Sequence, residues 1–251
     1  MLSITPPRPY GFFSRWSRLA LAFFLFALGA SLYLLLALLL LPWRGLRLRL
    51  AGIYATSIAP LLLFALGIDV RIEGRDRLRS SVPAIFVLNH SSALDTVISM
   101  LLWPPRACGV GKKEIVWIPF FGQAYLLSGM LRIDRADRAG AIEALRGMTE
   151  TVRRHRISPW IAPEGTRSDD GRLQPFKKGF VHIALATDLP VVPIVLHNAH
   201  LCLPNRTYAL APGVIEVEVL ESIDTSRWGA DTVDDHVQEV RELFRERLET
   251  G

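Results

Sequence analysis

Ala84-Ile85-Phe86-Val87-Leu88-Asn89-His90-Ser91-Ser92-Ala93-Leu94-Asp95-Thr96 is the stretch on which the rest of the chain turns. Its first five residues are an unbroken apolar run of strand length, preceded by the turn signal Ser80-Ser81-Val82-Pro83. Thr96 to Leu102 then continues as a short apolar helix. His90 therefore stands where a buried strand ends and a helix begins, a common position for a site on an α/β sheet. Five residues turn about 500° on a continuous helix, so His90 and Asp95 would diverge there. Across a strand–turn–helix junction they can face each other, and a carboxylate beside an imidazole fixes its tautomer and raises its basicity. No Ser-His-Asp order or nucleophile elbow accompanies the pair, so such a base would activate a hydroxyl of the substrate. A single His-x4-Asp is weak evidence, because one histidine near a turn is more often structural.

Downstream, apolar and helical segments alternate. Strands are expected at 70–73, 84–88, 107–110, 131–133, 160–162 and 191–196, with an edge-like alternating strand at 214–220. Helices are expected at 94–102, 118–128 (entered through Pro119), 139–154, 180–186 and 232–248. This order predicts an α/β fold with a mixed, largely parallel sheet flanked by helices.

Upstream, Leu19 to Leu41 carries no charge and is long enough to cross a hydrocarbon layer of about 30 Å. Pro42-Trp43-Arg44-Gly45 breaks it, and a second apolar run follows from Ala51 to Ile68, interrupted by Pro60. The expected division is residues 1–68 as a basic segment with a membrane-embedded two-helix hairpin, and residues 69–251 as the α/β part. Arg clusters lie before, between and after the two runs. Two full crossings would put the middle cluster on the wrong side for the positive-inside rule. A hairpin embedded in one leaflet keeps all three on one face, and is preferred to two spans or to a buried helix pair.

The net charge of +5 over 251 residues is unevenly held: residues 1–80 carry +7 and residues 81–251 carry −2. The basic excess belongs to the hydrophobic region, which favours anionic lipid headgroups over nucleic acid as partner. Cys108 and Cys202, the two cysteines, lie among apolar neighbours and read as reduced core residues. No histidine has metal-ligand spacing, so no metal is expected. His197 and His200 follow strand 191–196 and could line the edge of a pocket.

Three further stretches follow expected strands: Gly111-Lys112-Lys113-Glu114, Gly129 to Arg135, and Pro163-Glu164-Gly165-Thr166-Arg167-Ser168. Each could be a solvated turn. Together they set His90, Lys112 or Lys113, Arg135 and Arg167 at the ends of four strands, a basic pocket around one base. An arginine just beyond a strand end can grip phosphate in a bidentate fashion, and Gly165 lets the backbone approach.

In this order the blocks resemble the glycerolipid acyltransferase family: Asn89 to Asp95 matches its His-x4-Asp block and Gly129 to Arg135 its second. Pro163 to Ser168 matches the Pro-Glu-Gly-Thr-Arg-Ser block, and Val192-Pro193-Ile194-Val195 the proline-centred fourth. The likeness runs from about residue 70 to 220. Arg132 departs from it, standing where an apolar or aromatic residue is usual. The resemblance implies a membrane-bound acyltransferase that uses acyl-CoA or acyl-ACP as co-substrate, with no bound cofactor. Its acceptor would be the sn-2 hydroxyl of lysophosphatidic acid. His90 would be the base and Asp95 its orienting partner. Lys112, Lys113, Arg135, Glu164, Gly165, Thr166 and Arg167 would bind substrate, with Arg167, Arg135 and a lysine on the phosphate and Glu164 orienting Arg167 or a polar group of the acceptor. Backbone N–H groups after His90 could stabilise the oxyanion. The expected location is the bacterial inner membrane, active site to the cytoplasm. Another acceptor, a hydrolase and a non-catalytic lipid-binding adaptor are the alternatives.

Overall fold

Neighbouring residues of the Ile85–Leu88 strand face opposite layers, and both layers are apolar. Phe86 and Leu88 join one core cluster, Ile85 and Val87 the other. A strand covered on both faces needs a continuous hydrophobic run rather than an alternating one. The structure, a computed structural model, describes residues 7–133 and 138–250. Among these the order is α1 Phe12–Leu39, α2 Arg44–Leu66, β1 Ile68–Glu73, α3 Arg77–Ser80, β2 Ile85–Leu88, α4 Leu94–Leu102, β3 Ala107–Lys112, α5 Phe121–Leu127 and β4 Leu131–Ile133. Then come α6 Arg138–His155, β5 Ser158–Ile161, α7 Gly179–Thr187, β6 Val191–Leu196, α8 Ala199–Cys202, β7 Gly213–Val219 and α9 Val233–Thr250.

The seven strands form one sheet in the order β1-β7-β6-β2-β5-β3-β4. All neighbours are parallel except β6 and β7. The mixed, largely parallel sheet is thus as expected. Two local readings need correction. β7 alternates in burial but is an inner strand, flanked by β1 and β6. Its alternation comes from a solvated row facing outward from one side of the sheet, not from an open edge. The helix expected from 118 begins only at Phe121. Lys113–Trp117 winds as a 3-10 helix before it, and Pro119 sits in the connection between them.

β2, β5, β3 and β4 are parallel neighbours, so their C-terminal ends share one edge. α2 and α4 cover one face of the sheet and α6, α7 and α9 the other. α2 is continuous through Pro60 and ends at Gly67, whose φ of 73° is left-handed. A Cβ there would run into the Tyr10 hydroxyl, so glycine is required on both counts.

The first helix pair is not a detached appendage. Ala55, Ile58, Ala59, Leu62 and Leu66 of α2 share one apolar cluster with Phe86 of β2, Ile98 of α4 and Ile194 of β6. The sheet's core therefore continues across the expected boundary at residue 68. α1 lies outside α2 and leaves Phe23, Phe24, Leu28, Leu32, Leu35 and Leu39 exposed. Both helices are long and apolar enough to cross a membrane. Cys108 and Cys202 are buried and free.

Candidate active site

His90 lies two residues past the end of β2 and Asp95 is the second residue of α4. The turn between them brings the pair together: His90 Nδ1 lies 2.9 Å from Asp95 Oδ2. A carboxylate oxygen can only accept, so Nδ1 carries a proton, and in the neutral ring Nε2 keeps its lone pair. The backbone N–H groups of Ser91 and Ser92 donate to the same Oδ2 at 2.6 and 2.7 Å. Asp95 is 1% exposed, and the N-terminal end of α4 favours its negative charge. These contacts narrow one expectation. The Ser91 and Ser92 N–H groups are committed to Asp95, and that of Leu94 is taken by Ser92 Oγ, so none of the three is free for an oxyanion.

The Pro163–Ser168 block holds the histidine from behind. Glu164 Oε1 accepts the N–H of His90 at 2.6 Å, and the N–H of Ser168 donates to the His90 carbonyl at 3.0 Å. Glu164 Oε2 takes the N–H of Gln174 at 2.8 Å. Both carboxylate oxygens are thereby occupied by backbone, where sequence suggested contact with Arg167 or an acceptor group. Gly165 follows in a left-handed turn, φ 78°, which reverses the chain toward Ser168. On the other side the Asn89 side chain pairs with both backbone groups of Leu196, at 2.8 Å each, extending the β2–β6 pairing by one rung. Sequence reasoning passed over this clamp. Its signal was an asparagine directly beyond a buried strand, where an amide can imitate a peptide group.

Burial pushes the Glu164 carboxyl up to about 7 from 4.5, against the two backbone N–H bonds that favour its charge; nearby Asp95 adds to the rise. Between these values the folded chain holds a proton that the unfolded chain has released. Stability contributed by this group therefore falls as pH rises from 4.5 to about 7. Glu164→Gln is expected to remove that part of the slope, as thermal unfolding of both proteins across this window will reveal. An unchanged slope in the variant would assign it to another group.

Arg167 is half-buried, with Nη2 3.4 Å from Thr96 Oγ1 one residue past Asp95. Among the described residues its Nε is buried without a partner, as are Asp95 Oδ1, Ser91 Oγ and His200 Nδ1. Thr166 is exposed. Lys112 ends β3 and Lys113 begins the 3-10 helix; both are exposed, and neither lines the cavity beside His90. Arg135 lies outside the described residues. His197 does not reach the pocket edge, because its Nε2 meets Glu218 Oε1 on β7 at 2.9 Å. His200 packs against Gly171, and burial lowers its pKa. Among the described residues no His, Cys, Asp and Glu side chains group as a metal site.

His90 and Thr96 open onto a cavity of about 200 Å³. The rest of its wall is mostly apolar: Phe26 of α1, Tyr54 and Ala55 of α2, Trp103 beyond α4, Phe121 of α5 and Trp160 of β5, among others. An imidazole held by Asp95 faces an apolar chamber, and the Arg167 guanidinium reaches Thr96 on its wall. Such a site can take a proton from a hydroxyl whose partner carries a long apolar chain.

A family model described as acyltransferase matches residues 69–197, and the chain belongs to that acyltransferase family. Its similar relatives include the 1-acyl-sn-glycerol-3-phosphate acyltransferase of Limnanthes alba, 39% identical over 85% of this chain and 75% of that protein. The enzyme of the same name from Cocos nucifera is 37% identical over 92% of this chain and 74% of that protein. The crystal structure of the 1-acyl-sn-glycerophosphate acyltransferase from Thermotoga maritima shares the fold, with a TM-score of 0.77 over 95% of both chains at 20% identity.

Proposed function

We propose that this acyltransferase moves a fatty acyl group from a thioester, on coenzyme A or acyl carrier protein, to the sn-2 hydroxyl of lysophosphatidic acid. The observation that carries the reading is His90 itself: Nδ1 bound to Asp95, Nε2 free, at the mouth of an apolar cavity. His90 Nε2 takes the hydroxyl proton as the oxygen attacks the thioester carbonyl. The C–S bond then breaks, and the thiolate leaving group recovers the proton from the imidazolium. The imidazolium is stabilised meanwhile by the Asp95 carboxylate. Arg167 holds the acceptor phosphate, a reading supported by its guanidinium reaching Thr96 on the cavity wall. Glu164 acts through the backbone of His90, and the apolar cavity receives an acyl chain.

The enzyme works on the membrane, with α1 and α2 held in one leaflet. The bacterial inner membrane, with the site toward the cytoplasm, suits acyl thioester donors. The exposed apolar row of α1 supports this, as do the basic residues at both of its ends. Arg44 Nη2, just past the α1–α2 turn, donates to the Gly129 carbonyl at 2.8 Å, which ties the turn to the sheet-bearing part of the chain and supports a turn that stays on that part's side of the membrane.

Purified enzyme supplied with acyl thioester and a panel of acceptors tests the proposal. Turnover should depend on lysophosphatidate. Thioester hydrolysis without an acceptor would make it a hydrolase, and preference for another hydroxyl would move the acceptor. Arg167→Ala should raise the KM for lysophosphatidate by an amount equivalent to about 1.5–3 kcal/mol, the worth of a charge-assisted bond. If only donor saturation changed, Arg167 would belong to the acyl-carrier side.

A further inference from the structure

At the end of β3 and β5 remote from His90 lies a second concavity, of about 500 Å³. Three separate parts of the chain build it. Trp43, Arg44 and Arg49 come from the start of α2, Arg106 directly precedes β3, and Arg154 and His155 end α6. No acidic side chain lines it. Arg49, Arg106 and Arg154 are exposed at its wall. The first turn of α2 also faces it, with no side-chain cap and no acid; the Leu46 N–H bonds the Trp43 carbonyl, and the Arg44 and Gly45 N–H groups have no acceptor among the described residues. Arginines converging on a helix N-terminus are chemistry for a phosphate. The rim decides its source. Leu41, Trp43 and Leu46 are exposed beside the arginines, at the end of the apolar row of α1. A soluble anion has no use for such a rim, whereas a lipid presents its phosphate and its glycerol end together, and tryptophan favours that layer.

We propose that this concavity binds the phosphate of an anionic membrane lipid, apart from the acyl-transfer site. The inference rests on the membrane-bound reading above. The bound lipid fixes the α1–α2 turn at headgroup depth, and so sets the tilt at which the far edge of the sheet, with His90, meets the bilayer.

Full-length enzyme in detergent is titrated with dihexanoyl phosphatidylglycerol, following the part of the tryptophan fluorescence that Trp43→Phe removes. A saturating change is expected. Arg49→Gln with Arg106→Asn and Arg154→Gln should weaken it at least about tenfold, since several charge-assisted bonds are lost. Asparagine is chosen at Arg106 because its φ of 59° is left-handed, which Asn tolerates. The single variant Arg154→Gln, on an exposed helix end, should weaken binding in the same direction if the triple variant folds poorly. Turnover on micellar lysophosphatidate should persist in both. Equal binding by wild type and folded variants overturns the site. So does an equal response to dihexanoyl phosphatidylcholine, which would mean apolar contact only. Inorganic phosphate saturating at the same concentration would make it a soluble-anion site and overturn the lipid assignment. Wild-type enzyme that stays in solution beside vesicles would overturn the membrane reading, and this site with it; enzyme that sediments with vesicles but shows no Trp43 response loses only the lipid site.

Discussion

His90→Ala lowers turnover by about 10²–10⁴-fold, the usual contribution of a positioned general base, and leaves the protein folded and on the membrane. The side chain is 21% exposed and its one hydrogen-bond partner among the described residues is Asp95, so its removal opens little core. The backbone bonds to Glu164 and Ser168 do not involve the imidazole and survive the change. The two histidines beyond β6 are placed otherwise: His197 is tied to Glu218, and His200 packs against Gly171. Rates at saturating donor and acceptor, beside the amount sedimenting with vesicles, make the comparison. Near-normal turnover in a sedimenting, folded variant would end the mechanism.

Asp95→Asn separates charge from shape, and turnover is expected to fall about 10²-fold or more. The amide oxygen can keep the place of Oδ2, accepting from Ser91, Ser92 and the imidazole. The amide nitrogen takes the place of Oδ1, which has no partner among the described residues. Folding should change little, since all three donors keep an acceptor. What disappears is the negative charge that stabilises the imidazolium while His90 holds the proton. The loss should therefore fall on kcat more than on either KM, with the melting temperature nearly unchanged. Full turnover with intact folding would mean that Asp95 serves the backbone turn only. A large loss of stability would mean that the carboxylate is chiefly structural.

The positions of the strands and the His90–Asp95 meeting were legible because both are written in short-range pattern. Ile85 to Leu88 is apolar without a break, and the junction after it follows from the change of period. What escaped depends on partners distant in the chain. Glu164 reads as a partner for Arg167 or the acceptor, yet its carboxylate holds a backbone N–H 74 positions away. The Ser91 and Ser92 N–H groups looked available because sequence does not say where an Asp side chain points. β7 looked like an edge because alternation reports one solvated row, and it is silent on whether a strand such as β1 lies alongside. The 3-10 helix at Lys113–Trp117 has no period long enough to betray it.

The shared core of α2 and the sheet has a consequence for how the molecule is made. α2 leaves the ribosome before every strand it will cover, so Ala55, Ile58 and Leu62 must wait for Phe86 and Ile194. Over that interval a bilayer surface or a chaperone is the natural shield for an apolar helix without its partners. Cutting the gene at residue 68 would for the same reason not yield a water-soluble enzyme. It would strip the lid from one face of the sheet, take Tyr54 and Ala55 out of the cavity wall, and leave a fragment that aggregates through its bared layer.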